Sequence, residues 1–462
     1  MEVHYLSLLE VSERIRRQEL TSEGVTEALL ARIAHLDVNL HATLLVMADL
    51  ALEQARRADA EIAAGQWRGP LHGVPIGLKD TVWTKGLPTT AGMELWRDFR
   101  PQEDATVVRR LKEAGAVLIA KLATTEAATW EHHPAFPRPT NPWSPDHWTG
   151  VSSSGSGVAL AAGFCFAATA SDLGGSIRMP SAAGNCTGLK PTWGRVSRHG
   201  VMYGGGSYDH TGPMARSAAD VAALLGVMAG SDPEDPATLV DPVPDYLASM
   251  HQGVRGMTLG VDWNFAADGM APEIVAALEQ AIVVFERLGM RIREVKFPEM
   301  NGLTGAPMIA QIALAHADTY PAKAEHYGPA LKALMERAGR IRGVDVAAGV
   351  IARDHFRGHM ARTFAETDFI ITPGLGKVLP TWDALALAVA EGDGWDPLLT
   401  RFTLPFNATG VPTLSLPGGF TGEGLPIGVQ LAGAWLAEPA LIRAGVAFQK
   451  ATDFHLRRPP GA

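Results

Sequence analysis

The 462-residue chain lacks several features that would place it in another class. It has two cysteines, Cys165 and Cys186. Neither stands in a C-x-x-C pair or a Cys/His cluster with zinc spacing, which excludes a disulfide framework and a structural zinc. Both have apolar or small neighbours and are expected to be buried free thiols. Positive charge is also short, with 40 Lys and Arg against 49 Asp and Glu and a formal charge of −9. A nucleic-acid-binding surface wants clustered Lys and Arg, so no nucleic-acid partner is expected. A long apolar run is missing too. The uncharged stretch from Trp148 to Ser171 opens on Ser and Gly. Its apolar part, "VALAAGFCFAATA", has about 13 residues, short of the roughly 20 a membrane span needs. A buried helix of small residues is expected there. The N-terminus, "MEVHYLSLLEVSERIRRQEL", is amphipathic and charged within three residues, unlike a secretory signal. A cytoplasmic protein without membrane contact is expected.

What is present fits an ordinary globular enzyme, with 47% hydrophobic and 19% charged residues. Residues 5 to 65 read as two or three amphipathic helices, with "TSEGVTEALLARIAHLD" opening on a Thr/Ser cap. "NLHATLLVM" has the apolar texture of a strand. "LHGVPIGLKD" reads as a short apolar strand ending at a charged pair, and "DATVVRRLKEAGAVLIAKLAT" as helix, glycine stop and buried strand. Such alternation predicts an α/β sheet with helices on its faces. Residues 134–216 are dense in Gly, Ser, Pro and Thr, and long irregular stretches of this kind tend to be functional. A helix is expected over 216–230, then a strand at "MTLGVD", a strong helix at "PEIVAALEQAIVVFERLG" and an edge strand at "MRIREVKFP". "TWDALALAVAEGDGW" reads as a mobile insertion. "PFNATGVPTLSLPGGF" and "LPIGVQLAGAW" read as two strands joined by a hairpin-like turn, and "EPALIRAGVAFQKAT" as the last helix. With no internal repeat and no clean linker, one large unit is expected.

The chemistry centres on "SDLGGSIRMP", where two glycines precede Ser176 and Arg178 follows it. Glycines allow unusual backbone angles, so N–H groups in such a turn can approach an oxyanion. No histidine lies within twenty residues of Ser176 on either side. A G-x-S-x-G elbow is absent, and "GNCTGLK" has its second glycine one position too early for a P-loop. His132 and His133, in "EHH", lack zinc-helix spacing and read as loop or surface histidines. What remains is serine-based acyl transfer with a base other than histidine. Lysine qualifies when burial lowers its pKa, and Lys79 at the end of "GVPIGLKD" is the leading candidate. The alternative for Lys79 is a structural lysine paired with Asp80 or another acid.

"GVPIGLKD", "TGVSSSGSGVALAAG", "SDLGGSIRMPSAAGNCTGLKPTWGRVSRHGV" and "SYDHTGPMARSAAD", continuing through "PFNATGVPTLSLPGGF" and "GLPIGVQLAG", resemble the amidase signature family of serine hydrolases. The resemblance runs from about 5 to 450, with the motifs in family order. It implies one α/β domain over 1–462, with a central mixed twisted sheet covered by helices on both faces. Within it, 1–65 would be an N-terminal helical region and 66–230 the catalytic core. Residues 231–400 would be a helical, variable region with active-site loops, and 401–462 the C-terminal strands and helix.

The resemblance further implies a Ser–cis-Ser–Lys triad. Ser176 would be the nucleophile, Ser152 the bridging serine behind a cis peptide, and Lys79 the base. Backbone N–H groups of Leu173, Gly174, Gly175 and Ser176 would form the oxyanion hole. Asp172 and Arg178 would form a hydrogen-bonded brace with Ser153. Asp209 reads as a turn-holding acid. Val151 and Ser154 stand where the family usually has glycine, and His147 where an arginine is common. Candidate pocket residues are Met93, Trp130, Thr140, Asn141, Met179, Met202, Tyr203 and Phe406, with the loops at 130–143, 200–210 and 380–400 at the mouth. The activity implied is amide hydrolysis through an acyl-enzyme, with aryl amides, anilides and aryl carbamates (urethanes) as plausible substrates and ester cleavage as a side activity. The alternative is the glutamine-hydrolysing component of a tRNA-dependent amidotransferase. No metal or cofactor is expected, and the chain is expected to be a monomer or homodimer.

Overall fold

The computed structural model describes residues 2–202, 204–303, 305–391 and 397–460. Among the described residues, eleven strands form one mixed sheet. In chain order they are β1 (Thr43–Val46), β2 (Pro75–Lys79), β3 (Val117–Leu122), β4 (Ala167–Asp172), β5 (Thr187–Lys190) and β6 (His210–Ala215). β7 (Thr258–Val261), β8 (Arg291–Glu294), β9 (Phe369–Pro373), β10 (Thr413–Phe420) and β11 (Pro426–Gly433) complete it. The spatial order is β1-β3-β2-β4-β6-β5-β10-β11-β9-β7-β8. β2 pairs parallel with both β3 and β4, and β9-β7-β8 form a second parallel group. Antiparallel ladders join β4, β6, β5, β10, β11 and β9.

β2, β3, β4 and β6 are buried along their whole length, as expected of strands covered on both faces. β8 is charged at three of its four positions and stands at the sheet edge, where charge opposes edge-to-edge association. Three helices, Leu8–Arg16, Ser22–Leu40 and Ala48–Ala63, occupy the N-terminal region. The second is capped by Thr21, whose hydroxyl accepts from Gly24 N–H at 3.1 Å. No helix among the described residues is long and apolar enough to cross a membrane.

Three local expectations change. The stretch "VALAAGFCFAATA" is not one helix but the end of the Ser154–Ala161 helix followed by β4. The chain reverses at Gly163, at φ 72°, and the helical carbonyls of Leu160 and Ala162 are taken by Arg216 and Arg32. "PFNATG" belongs to a short helix, Leu404–Thr409, that ends at Gly410, and not to β10. The segment read as a mobile insertion contains the Trp382–Glu391 helix; 392–396 lie outside the described residues. Its start is pinned, because Trp148 N–H donates to Pro380 O and Trp382 N–H to Asp146 O.

The core lies between the sheet and its helices, as at Leu414 on β10, which is fully buried against the Glu438–Ala451 helix. Leu414→Ala is expected to lower unfolding free energy by about 2–5 kcal/mol in urea titrations. Leu314→Ala, at a position 75% exposed, is expected to change it by less than about 0.5 kcal/mol.

Candidate active site

Lys79 is the last residue of β2, and the pairing of β2 between β3 and β4 carries it to the sheet interior. Its side chain is 0% exposed. Its Nζ donates to three hydroxyls: Ser152 Oγ at 2.6 Å, Ser171 Oγ at 2.9 Å and Ser153 Oγ at 3.0 Å. No carboxylate forms an ion pair with it among the described residues. Burial therefore dominates and pulls the Lys79 ammonium down to about 7, against the opposing fields of Asp172 and Asp209. The structural alternative of pairing with Asp80 does not apply, since Asp80 lies 3.2 Å from Lys121 instead.

Ser152 and Ser153 occupy the turn before the Ser154–Ala161 helix. Among the described residues the one cis peptide is Tyr320–Pro321. The Val151–Ser152 peptide is trans, in place of the expected cis bond, and the turn closes through Ser154 N–H donating to Val151 O at 3.0 Å. Ser153 does not join the Asp172–Arg178 brace. It accepts from Lys79 and donates to Ser171 O at 3.3 Å.

Ser176 sits in the turn that leaves β4, 4% exposed. The Asp172 carboxylate shapes that turn by accepting from Gly175 N–H at 2.7 Å and Ile177 N–H at 3.1 Å. Gly175 has φ 131°, and a Cβ there would stand 2.6 Å from Met179 Cε and 2.9 Å from Thr403 Oγ1. No other residue fits. The Gly175 N–H, expected to face an oxyanion, is thus already donated to Asp172. The N–H groups of Leu173, Gly174 and Ser176 have no acceptor among the described residues. The Ser152 and Ser176 hydroxyls are not hydrogen-bonded to each other here.

Arg178 grips Asp172 through two bonds, Nε to Oδ2 at 3.0 Å and one Nη to Oδ1 at 2.9 Å, and both side chains are fully buried. Burial pushes the Asp172 carboxyl up, but Arg178, Lys190 and Asn407 outweigh it and hold the group well below its usual range. Asn407 donates to Asp172 Oδ1 at 2.8 Å and accepts from Arg178 at 2.5 Å. Asp209 accepts from Gly205 N–H at 2.7 Å, and burial raises it to about 6 against Gly205 and Arg198.

The turn is held between two apolar clusters. Leu173 belongs to one with Met93, Tyr208, Ile312 and Tyr327. Val151 and Met179 belong to another with Trp148, Leu375 and Leu399, against which Trp130 and Trp382 pack. Met93, Met179 and Trp130 therefore lie beside the turn. Thr140 is half-buried and donates its N–H to Leu40 O, and Met202 donates its own to Thr81 O. Asn141 is buried, and its amide donates to Trp148 O and Ala183 O, which makes it a loop brace. Phe406 is fully buried in a third cluster, edge-on to Phe297. Tyr203 lies outside the described residues.

Both cysteines are free and buried, and burial raises each thiol to about 12. His132 and His133 lie in a loop, where His133 is buried and His132 partly so. Among the described residues no group of three His, Cys, Asp or Glu is placed to hold a metal ion. A surface groove of about 1000 Å³ lies between β8, the loop through Asn301 and the Gly343–Phe364 helix, and neither Lys79, Ser152 nor Ser176 lines it.

Sequence reasoning missed Ser171, Asn407 and Trp382. Ser171 could have been found from strand periodicity, since Thr169, which accepts from Lys79 N–H at 3.0 Å, and Ser171 share one face of β4. Asn407 carries no signal of its own, because it meets Asp172 only through a chain separation of 235 residues.

The amidase family model matches residues 24–442. The chain is 46% identical to the "Putative amidase AmiD" of Mycobacterium tuberculosis, over 98% of this chain and 96% of that one. It is 37% identical to a component of the glutamyl-tRNA(Gln) amidotransferase of Moorella thermoacetica, covering 99% of each. The structure of a bacterial aryl acylamidase of the amidase signature family superposes with a TM-score of 0.89 at 26% identity, covering all of both chains.

The burial of Lys79 has a consequence for stability. Its folded pKa is depressed, so the folded state carries a penalty below pH about 7 that fades as pH rises toward 10.5. Lys79→Met, measured by urea unfolding, is expected to gain more stability relative to the parent at pH 6.5 than at pH 9.5. Asp172→Asn strands the Arg178 charge, and a loss of about 3–5 kcal/mol is expected in the same assay.

Proposed function

This chain belongs to the amidase family and is a hydrolase of amide C–N bonds, and we propose that it works through a Ser176 acyl-enzyme. The single observation that carries this reading is the buried Lys79 amine, neutral above pH about 7, with Ser152 at 2.6 Å. An ammonium donates to all three serine hydroxyls. A neutral amine keeps two N–H groups for Ser153 and Ser171 and turns its lone pair to the Ser152 O–H. Lys79 then accepts a proton only through Ser152.

In the first step Ser176 Oγ attacks the substrate carbonyl carbon. Its proton moves to Ser152 Oγ as the Ser152 proton moves to Lys79 Nζ, and the link from Ser152 to Ser176 forms in this step. The oxyanion receives the free N–H groups of Leu173, Gly174 and Ser176, in a site where fixed donors are worth more than in water. Lys79 returns its proton along the same path to the leaving nitrogen, and the C–N bond breaks. Water then adds to the acyl-enzyme and gives up its proton by the same relay. The acid leaves and Ser176 is restored. Ser153 and Ser171 hold the amine in place, and Asp172, clamped by Arg178, shapes the turn.

Aryl amides, anilides and aryl carbamates are the proposed substrates. The tryptophan and methionine side chains flanking the turn and the likeness to an aryl acylamidase support this class. A carbamate needs no further machinery, because its carbonyl meets the same serine and the same donors. The alternative, glutamine hydrolysis within an amidotransferase, needs groups to hold an α-carboxylate and an α-amine. Arg178 and Asp172 are spent on each other, which favours the uncharged aryl class.

The test is a panel of aliphatic amides, anilides, nitrophenyl carbamates, esters and glutamine, given to the purified chain alone. Cleavage of anilides or aryl carbamates with little glutamine turnover is expected; glutamine as the preferred substrate would favour the amidotransferase reading. Ser176→Ala is expected to lower kcat by at least about 10³-fold. The parent kcat/KM should rise with pH through about 7 as Lys79 loses its proton, and Lys79→Ala should abolish that step along with most activity.

A further inference from the structure

One side chain beside the triad has no part in this reaction. His132 Nε2 lies 3.0 Å from Ser154 Oγ, and Ser154 is fully buried two residues beyond Ser152. The other ring nitrogen, Nδ1, is buried and has no hydrogen-bond partner among the described residues. A hidden polar atom left unsatisfied costs stability and calls for an explanation.

The hydrogen-bond inventory assigns the ring proton. The Ser154 hydroxyl is buried, and His132 is its one side-chain partner among the described residues. With the hydroxyl donating to Nε2, its proton is satisfied and the ring proton sits on Nδ1. Burial, with Arg138 adding to it, holds the imidazole down to about 3, so the ring is neutral at ordinary pH. It presents one N–H with nothing to receive it.

The neighbours place the His132 ring beside the apolar cluster. Trp382 meets the His132 ring edge-on, with centroids 6.4 Å apart, and Arg138 lies 4.5 Å above the Trp382 ring. Trp382 in turn packs on the cluster that holds Val151 and Met179, which flank Ser152 and Ser176 in the chain.

We propose that His132 is a specificity-determining residue whose Nδ1–H receives a hydrogen-bond acceptor, such as a carbonyl or nitro oxygen, carried on the aromatic group of the substrate beside Trp382. The inference rests on the aryl-substrate reading above. A buried donor discriminates strongly, since an analogue without the acceptor leaves it unpaired.

The test compares acetyl-substituted anilides with isopropyl-substituted ones of matched size, at each ring position, in the parent and in His132→Phe. At the position that reaches Nδ1, the acetyl-over-isopropyl ratio of kcat/KM is expected to fall about tenfold in His132→Phe, mainly through KM. His132→Asn, which restores an N–H near Nδ1, is expected to recover part of the ratio. An unchanged ratio at every position overturns the assignment. Failure of the parent to cleave any anilide or aryl carbamate would instead sink the aryl-substrate reading itself. Should His132→Phe not fold, ¹⁵N–¹H spectra of Ser176→Ala with the acetyl anilide decide the matter. One histidine Nδ1–H resonance should move downfield on binding, and a resonance that does not move overturns the proposal.

Discussion

A lysine buried without a carboxylate is the constraint on which the rest of the structure depends. Removing an ammonium from water costs several kcal/mol unless an opposite charge compensates it, and three serine hydroxyls around Lys79 compensate only in part. The balance falls at a pKa of about 7. A carboxylate at contact distance would restore the ammonium. Asp172 carries a buried negative charge one element away, and its two bonds to Arg178 keep it in place. The Arg178 clamp thus serves the lysine indirectly, because it holds within its own pair the carboxylate whose field acts most on Lys79.

The same carboxylate shapes the serine turn. Asp172 takes the N–H groups of Gly175 and Ile177, which leaves those of Leu173, Gly174 and Ser176 unclaimed. One side chain therefore closes the turn and takes two of its donors. Asn407 ties this network to the C-terminal part of the chain, and Thr403 adds a bond from its hydroxyl to Gly174 O at 2.6 Å. These bonds join the serine turn to the Leu404–Thr409 helix that precedes β10. Apolar clusters with methionine and aromatic side chains flank the turn on both sides.

Much of this was legible in the residues. The buried strands β2, β3 and β10 stand out as short apolar runs bounded by Gly and Pro, and the edge position of β8 follows from its charges. The helix of 272–287 follows from its 3.6-residue period. Reasoning by period failed where composition was too uniform. "VALAAGFCFAATA" is equally apolar as helix and as strand, and only the reversal at Gly163 divides it. "TWDALALAVAEGDGW" looked loose because of its glycines, yet backbone bonds to Asp146 and Trp148 anchor its start. The two histidines of "EHH" lie in a loop, as read, but that His133 is buried and His132 partly so has no sequence signal. Phe406 looked like a pocket residue by its position, whereas its packing partner is Phe297, far off in the chain.

Local order in the sequence determined the elements and the chemical types available: a lysine closing an apolar strand, serines in a glycine-rich turn, and an acid and an arginine around Ser176. These follow from propensity and spacing, which act over a few residues. Tertiary structure alone decided what each group is worth. It placed Ser171 against Lys79, gave Arg178 and Asn407 to Asp172, spent the Gly175 N–H, and left His132 Nδ1 without a partner. Burial and pairing between segments as far as 235 residues apart set charge and proton affinity, and such energies depend on distances that only the folded chain defines.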